Sequence, residues 1–493
     1  MTIKGEIKKI IEKSLKELKV GTPDFLVEPS LKEEHGDYAS NIALVLAKQL
    51  KKNPLEIAED IKKKIKSGIF EKIEILKPGF INFFISKEHL QKQAVKILKE
   101  KEKYGNLKIG RRQKVNVEFI SANPTGPLTL GNGRGGFGGD VLANVLRKAG
   151  YNAVKEYYIN NQGKQIKDLK EGLYKGEKRT ASQIQKENKK VIEKKLKINF
   201  DVWFSEKSLY KNKEINKVIN YLQKKKLTCE KEGALWFKTT KFGDDKDRVL
   251  IRKNGEKTYF ASDTAYLKNK FKRGFKKLII FLGADHHGYV KRMKAAVEAL
   301  GYNKNQLDFI LMQMVRLKKG KMSKRSGVYI KLEELIDEVG LNAARFFFLQ
   351  RGANSHLVFD MDLAKKKSRD NPVYYVQYAY ARISSILSKA QNANFQFPIV
   401  NFQLLTHENE LRLIKQLIRF PEIIEDTAKD YQVQRFPQYA VDLAEAFHRF
   451  YQNCQVLTDN KKLRQSRLSL ISAAEIILKE TLNLMGIDAP QKM

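Results

Sequence analysis

The sequence predicts a central α/β domain built on a doubly wound parallel sheet, carried between a small α+β domain and an all-α helix bundle. Three observations predict this order. From about 111 to 340, strand-like and helix-like segments alternate, the pattern of consecutive βαβ units. Before about 108, helical spacing mixes with short, densely apolar runs. After about 341, apolar spacings of three and four dominate and strand signals are scarce. At 493 residues the chain exceeds what one compact core supports, and boundaries are expected at 1–108, 109–340 and 341–493.

In the first region helices are expected over Ile3 to Leu18, Ala39 to Leu50 and Pro54 to Ile65, with strands over Phe70 to Leu76 and Phe80 to Ile85. The charged run from Lys99 to Asn106 reads as a solvated helix end and linker. In the second region Val115 to Ser121 is a strand, Gly138 to Ala149 a helix and Val154 to Ile159 a strand. Farther on, Lys277 to Gly283 is a strand and Val290 to Leu300 a helix that stops at Gly301. The polar, lysine-rich stretch from Lys164 to Lys197 reads as helical and opens an insertion, around 164–260, that crosses outside the sheet. The third region holds helices over Asn342 to Leu349, Pro372 to Ala390, Asn409 to Ile418, Pro437 to Tyr451 and Arg464 to Leu484.

Hydrophobic residues make up 42% of the chain, enough for sizeable cores. No run of about 18 apolar residues occurs, so no membrane span is expected. The charged, amphipathic start lacks the apolar stretch of a secretory signal. Cys229 and Cys454 stand far apart and without metal-ligand neighbours, which predicts neither a disulfide framework nor a structural zinc and fits a reducing cytoplasm. Lys and Arg number 94 against 56 Asp and Glu, a formal charge of +38. Such a charge favours a polyanionic partner, because phosphate contacts release counterions and steer encounter, although a uniformly lysine-rich surface gives the same count.

The segment Val115-Asn-Val-Glu-Phe-Ile-Ser-Ala-Asn-Pro-Thr-Gly-Pro-Leu-Thr-Leu-Gly-Asn-Gly-Arg-Gly-Gly136 reads as a strand, a rigid loop and a glycine-rich helix start. Gly131-x-Gly133-x-x-Gly136 has the spacing of a dinucleotide fingerprint, with Glu156 about 20 residues on. That motif sets its first glycine close after the strand, whereas here Ala122 to Leu130 intervene with two prolines. A helix start with free backbone N–H groups still suits phosphate, and glycine at 131 lets a nucleotide approach the backbone closely.

From Ala122 to Gly136 the segment resembles the first signature of class I aminoacyl-tRNA synthetases, and that of the arginine enzymes in particular. The resemblance implies a Rossmann-type catalytic domain in which Pro124, Thr125, Gly126, Gly131, Asn132 and Gly133 bind ATP. The family carries histidines at both ends of a His-x-Gly-His tetrad where this chain has Thr129 and Asn132. Both keep a hydrogen-bond donor for phosphate and neither can carry charge, so the departure bears on the rate contribution of these two implied catalytic residues. Gly320-Lys-Met-Ser-Lys-Arg-Ser-Gly327 resembles the second signature. It implies catalytic roles for Lys321 and Lys324, flanking Met322 and Ser323 at the ATP, with the loop closing on the triphosphate as pyrophosphate leaves. In so basic a chain a Lys-x-x-Lys pair says nothing alone; the two signatures in order carry the signal.

Phe200-Asp-Val-Trp-Phe-Ser-Glu206 and Tyr259-Phe-Ala-Ser-Asp263 resemble arginine-enzyme segments that face the substrate side chain. The resemblance implies that Glu206, Tyr259 and Asp263 hold the guanidinium, whose forked donors match carboxylates; by spacing alone these are ordinary surface acids. Gly283-Ala-Asp-His-His-Gly-Tyr289 resembles the family's loop near adenosine, implying Asp285 and His286 at ATP and His286 at arginine. A closed metal site is not expected there, since the His pair has one acid beside it. By resemblance Asn123 holds the α-amino group, with Asn160 and Gln165 nearby.

Asp370-Asn-Pro-Val-Tyr-Tyr-Val-Gln-Tyr-Ala-Tyr-Ala-Arg382 resembles the opening of the family's anticodon-binding bundle and implies tRNA contacts for Tyr375, Tyr378 and Arg382. The residues themselves leave open whether the two tyrosines stack on bases or fill a core. His35-Gly-Asp-Tyr-Ala-Ser-Asn41 and Lys77-Pro-Gly-Phe-Ile-Asn82 resemble the family's additional domain, thought to touch the tRNA elbow. The expectation is a monomeric cytoplasmic enzyme that activates L-arginine with ATP, Mg²⁺ riding on the nucleotide and not on the protein, and charges tRNA(Arg). Two alternatives stay open. One is a non-catalytic RNA-binding relative, motivated by Thr129 and Asn132; the other is a class I synthetase for another amino acid.

Overall fold

A computed structural model describes residues 2–30, 32–161, 179–318, 331–393 and 402–493. The first region runs α1 (Ile3–Glu17), β1 (Val27–Pro29), β2 (Tyr38–Ser40), α2 (Ile42–Leu50), α3 (Pro54–Lys64), β3 (Phe70–Leu76), β4 (Phe80–Ile85) and α4 (Lys87–Glu100). Ile3, Ile7, Ile11 and Leu15 recur every fourth residue, so α1 buries one apolar stripe, and the Thr2 hydroxyl caps its start by accepting from the Gly5 N–H at 3.1 Å. The sheet is antiparallel in the order β1-β2-β4-β3. It brings the two family-like pieces together, Ala39 opposite Asn82. Ala39 and Ser40, expected to open a helix, belong to this strand instead, because Tyr38 and Ser40 pack inward on alternate positions.

The middle region holds β5 (Lys114–Glu118), α5 (Leu130–Lys148), β6 (Asn152–Ile159), α6 (Ala181–Lys190), β7 (Val202–Ser205), α7 (Lys207–Lys211), α8 (Glu214–Lys224), β8 (Thr228–Lys231), β9 (Ala234–Phe237), β10 (Arg248–Ile251), α9 (Tyr259–Lys272), β11 (Lys277–Gly283), α10 (Tyr289–Ala299), β12 (Leu307–Met312), β13 (Val315–Leu317) and α11 (Leu332–Val339). Five parallel strands stand in the order β12-β11-β5-β6-β7. The order reverses between β5 and β11, which opens a crevice at their carboxyl ends where doubly wound sheets bind ligands. Along β11, Ile279 and Phe281 face the α5 side while Leu278 and Ile280 face α9 and α10.

Helix α5 begins at Leu130, eight residues before the expected start at Gly138. Its glycines explain both the miss and the packing. A Cβ at Gly139 would stand 2.3 Å from the Phe119 ring, and one at Gly135 would stand 2.7 Å from Met312 Cε. Each glycine costs a helix about 1 kcal/mol relative to alanine; close seating on the sheet offsets that cost. The strand is shorter than expected at its far end, because Ile120 and Ser121 turn into the left-handed region (φ 63° and 39°) and lead the chain off the sheet. The insertion contains an antiparallel sheet, β10-β9-β8, that the sequence reading did not anticipate. Its β8–β9 hairpin turns at Glu232 and Gly233, both at positive φ.

The last region runs α12 (Leu341–Leu349), β14 (Leu357–Phe359), α13 (Met361–Lys365), α14 (Pro372–Asn392), α15 (Glu408–Ile418), α16 (Phe420–Asp430), α17 (Arg435–Asn453) and α18 (Lys461–Met485). Strand β14 pairs in parallel with β13 and ties the bundle to the catalytic sheet's margin. The bundle also receives the first region. Glu422, on α16 and 2% exposed, accepts from the Tyr38 hydroxyl at 3.0 and 3.1 Å and from the Lys4 backbone N–H at 2.9 Å. Burial pushes its carboxyl up to about 7, against the opposing pull of these two donors.

A carboxyl raised in the folded state is neutral and tolerated below about 7, and becomes a buried charge as pH rises through that value. Glu422→Gln mimics the neutral form. Between pH 8 and pH 5 the wild type should therefore gain on the order of 3 kcal/mol of stability relative to Glu422→Gln, read from denaturant titrations. Parallel pH profiles for the two proteins would contradict this.

Candidate active site

The carboxyl ends of β5, β6, β7 and β11 deliver most of the residues singled out from the sequence. After β5 the loop carries Asn123, Pro124, Thr125 and Gly126 to the start of α5, and the Asn160 amide, just past β6, donates to Asn123 Oδ1 at 2.9 Å. Thr129 is the residue before α5. Its backbone N–H and its hydroxyl both donate to Asn132 Oδ1, at 2.9 and 3.0 Å. With that oxygen occupied, the Asn132 amide nitrogen is the donor left to face outward, while Thr129 has committed its proton. Among the described residues, and apart from the helix's own backbone, only Thr129 comes within 4 Å of a Cβ at Gly131, which leaves room there for a ligand. Gly133, by contrast, is filled from behind, its Cβ position 2.5 Å from Leu332 Cδ1. The chain returning at 331 is stitched to this corner: Leu332 N–H donates to the Leu128 carbonyl at 2.9 Å, and Lys331 bridges to Thr129.

Lys321, Met322, Ser323 and Lys324, like Gln165, lie outside the described residues. Asp285 and His286 form a helical turn directly after β11, both exposed, with His286 Nε2 3.6 Å from Asp285 Oδ2. Among the described residues no group of three or more His, Cys, Asp or Glu is arranged to hold a metal.

The second half of the site is a crowd of carboxylates. Glu206, 2% exposed at the end of β7, and Asp263, on α9, approach Glu118 at the end of β5. Burial, then the charge of Glu206, then that of Glu118 raise the Asp263 carboxyl well above the usual carboxylate range. The Tyr158 phenol is raised by burial and by the same three acids, which places it among them. Tyr289 donates its hydroxyl to Asp263 and Lys270 pairs with Glu118. Tyr259 lies one turn before Asp263 and is 40% exposed, at the lip.

Glu118 was quoted in the sequence motif but not assigned to the pocket. The polar stripe of α9 could have found it: Tyr259, Asp263, Tyr266, Lys270 and Arg273 recur at spacings of four, three, four and three, one face of a helix laid on the sheet. Tyr266 and Arg273 on that stripe hold Glu156, Arg273 in a two-pronged contact at 2.7 and 2.8 Å. Burial would raise Glu156, yet Arg273 and Lys270 hold it below the usual range. It is a buried structural anion with no ribose-facing role, and the dinucleotide reading fails on it.

On the bundle, the Arg382 guanidinium lies between the rings of Tyr378 and Tyr451, 5.2 and 5.4 Å from their centroids. Tyr378 is exposed, while Tyr375 packs partly into the core with its ring 4.8 Å from His448. A cavity of about 630 Å³ along β12 is lined by Phe281, Phe309 and Met312 and reaches none of Glu118, Glu206 and Asp263.

Comparison with known proteins fits this architecture. Residues 170–351 match the family model described as tRNA synthetases class I (R), catalytic domain. A glycine-led helix start at the switch point of a doubly wound sheet, together with that match, defines a class I aminoacyl-tRNA synthetase. Residues 5–85 match the arginyl tRNA synthetase N terminal domain and residues 376–493 the DALR anticodon binding domain. An arginine–tRNA ligase of Heliobacterium modesticaldum is 43% identical over 98% of this chain and 96% of its own length. One of Bacillus subtilis is 40% identical over 100% of both. The arginyl-tRNA synthetase structure of Thermus thermophilus covers 100% of both chains with a TM-score of 0.81 at 22% identity, a likeness of fold. The chain belongs to the arginyl-tRNA synthetase family.

Asp263→Asn removes a buried acid whose ionised form is disfavoured by burial and by Glu206, while keeping an oxygen for the Tyr289 hydroxyl. At neutral pH it should stabilise the ligand-free protein by about 1–2 kcal/mol, in chemical denaturation, even as it damages the site. A destabilised variant would mean that the three acids are not in conflict.

Proposed function

We infer that the chain activates L-arginine with ATP and transfers it to the 3′ end of tRNA(Arg). The observation that carries the reading is the gathering of Glu206 and Asp263 at the carboxyl ends of the sheet, beside a Glu118 that Lys270 already pairs, where burial and the charge of Glu206 raise the Asp263 carboxyl. A guanidinium offers five donors in a rigid plane and suits several carboxylates at once, which a lysine's point charge does not. Within this reading Glu206, Tyr259, Asp263 and His286 face the arginine side chain and Asn123 its α-amino group. ATP lies over Pro124, Thr125, Gly126, Gly131, Asn132 and Gly133, with Asp285 and His286 beside the adenosine.

In the first step a carboxylate oxygen of arginine attacks the α-phosphorus, the bond to the bridging oxygen breaks, and pyrophosphate departs as arginyl-adenylate forms. The start of α5 and the Asn132 amide stabilise the phosphates, joined by Lys321 and Lys324. Mg²⁺ arrives with the nucleotide as part of the substrate. In the second step a terminal ribose hydroxyl of the tRNA, the 2′ by class behaviour, attacks the mixed anhydride and AMP leaves. Tyr378 and Arg382 contact the tRNA through base stacking and a phosphate, with Tyr375 behind them. Boundaries at 1–108, 109–340 and 341–493, with an insertion around 164–260, belong to the same proposal, as do a monomeric state and a cytoplasmic setting. Among the described residues no helix is long and apolar enough to cross a membrane.

Incubation with ATP, arginine and tRNA should yield charged RNA; silence would favour a non-catalytic RNA-binding relative. Asp263→Asn should lower kcat/KM for arginine by roughly 1.5–3 kcal/mol, the weight of a charged hydrogen bond, and unchanged arginine kinetics would point to another amino acid. Pyrophosphate exchange with ATP and arginine should be negligible until tRNA is added. Robust exchange without tRNA would remove that feature.

A further inference from the structure

Between Asn123 and Leu128 the ATP loop buries Pro124 and Leu128 and leaves Thr125, Gly126 and Pro127 partly or fully exposed, so ties from other segments bear on where those three residues sit. Two ties have been described: Asn160 onto Asn123, and the Leu332 N–H onto the Leu128 carbonyl. A third comes from the insertion. The Asn188 side-chain amide, on α6, donates to the Gly126 carbonyl at 3.1 Å. Beside it lies a cavity of about 350 Å³ lined by Pro127, Leu128, Val191 and Lys331. Among the described residues, no atom beyond the chain neighbours comes within 4 Å of a Cβ at Gly126.

The position of Asn188 is unusual for an amide. Ile184, Asn188, Ile192 and Leu196 recur every fourth residue, and all are almost fully buried, Asn188 at 3%. A four-residue step overshoots a full α-helical turn by about 40°, so such a stripe should drift around the helix. Here it does not drift, because Val191–Lys195 widens into a π turn, with the Leu196 N–H donating to the Val191 carbonyl at 3.0 Å. The backbone is thus shaped to keep this stripe in line, and an apolar side chain at 188 would complete it. An amide in that place carries a desolvation cost that only its hydrogen bond offsets.

We propose that Asn188 is a positioning residue for ATP, tethering the insertion to the loop that receives the nucleotide. It does not touch the substrate; it holds the Gly126 carbonyl, and through it the turn leading to Thr129 and Asn132. The proposal rests on the assignment of ATP to this corner.

The test is aminoacylation by the full-length protein, with KM measured separately for ATP and arginine. Asn188→Leu completes the apolar stripe and removes the donor; Asn188→Asp keeps the shape and removes the donor. Both should raise the ATP KM about five- to tenfold, the loss of one neutral hydrogen bond, with the arginine KM unchanged. Asn188→Leu should melt no lower than wild type, so that a merely structural role, which would lower the melting temperature and leave KM alone, is told apart. An unchanged ATP KM in folded Asn188→Leu overturns the proposal. Asn132→Ala separates the two ways this can happen. If it raises the ATP KM, the tether alone is wrong; if it does not, the placement of ATP falls with it.

Discussion

Arg345 is 1% exposed, and its guanidinium reaches three parts of the chain that are far apart in sequence. It pairs with Asp140 of α5 at 2.8 Å and donates to the carbonyls of Met485 at 3.0 Å and Leu196 at 2.7 Å, the ends of α18 and of the insertion's π turn. Asp140 is held from its other side by Lys155 of β6 at 2.6 Å. Burial would raise Asp140, but Arg345 and Lys155 keep it ionised. A buried pair of this kind adds little over an apolar substitute, whereas losing one partner costs about 3–5 kcal/mol. Its value here is geometric. The helix that starts at the nucleotide corner, α12 with its Arg345, the insertion and the last helix of the bundle share one anchor.

Around that anchor the charge is distributed unevenly. The chain as a whole carries +38, and the arrangement of Tyr378, Arg382 and Tyr451 is one exposed place where cations and aromatics meet. The crevice runs the other way, with Glu118, Glu206 and Asp263 gathered beside a phenol. A polyanion is drawn to the surface by the net field while a small cation is held by the local one. The two partners therefore need not compete for the same potential.

The doubly wound sheet was legible because its strands and helices have the right lengths and follow one another in chain order. The start of α5 was not, because glycines at 131, 133, 135 and 136 look like a loop until the sheet they lie against is known. Strands β8 to β10 are four residues long with mixed polarity, too short for an alternation to stand out. Helix α16 was missed for a related reason: Pro421 reads as a breaker, yet in the first turn of a helix it costs nothing. Within the site, Asn123, Asn132, Glu206 and Asp263 were named from motifs. Glu118 was not, since strand polarity alone does not reveal which end faces the crevice.

The closed pair at Thr129 and Asn132 has a further consequence. A corner built on imidazoles changes its charge near neutrality, where histidine titrates. Hydroxyl and amide have no proton to gain or lose across the same range. This corner presents the same polarity to a phosphate in acidified and in alkaline surroundings.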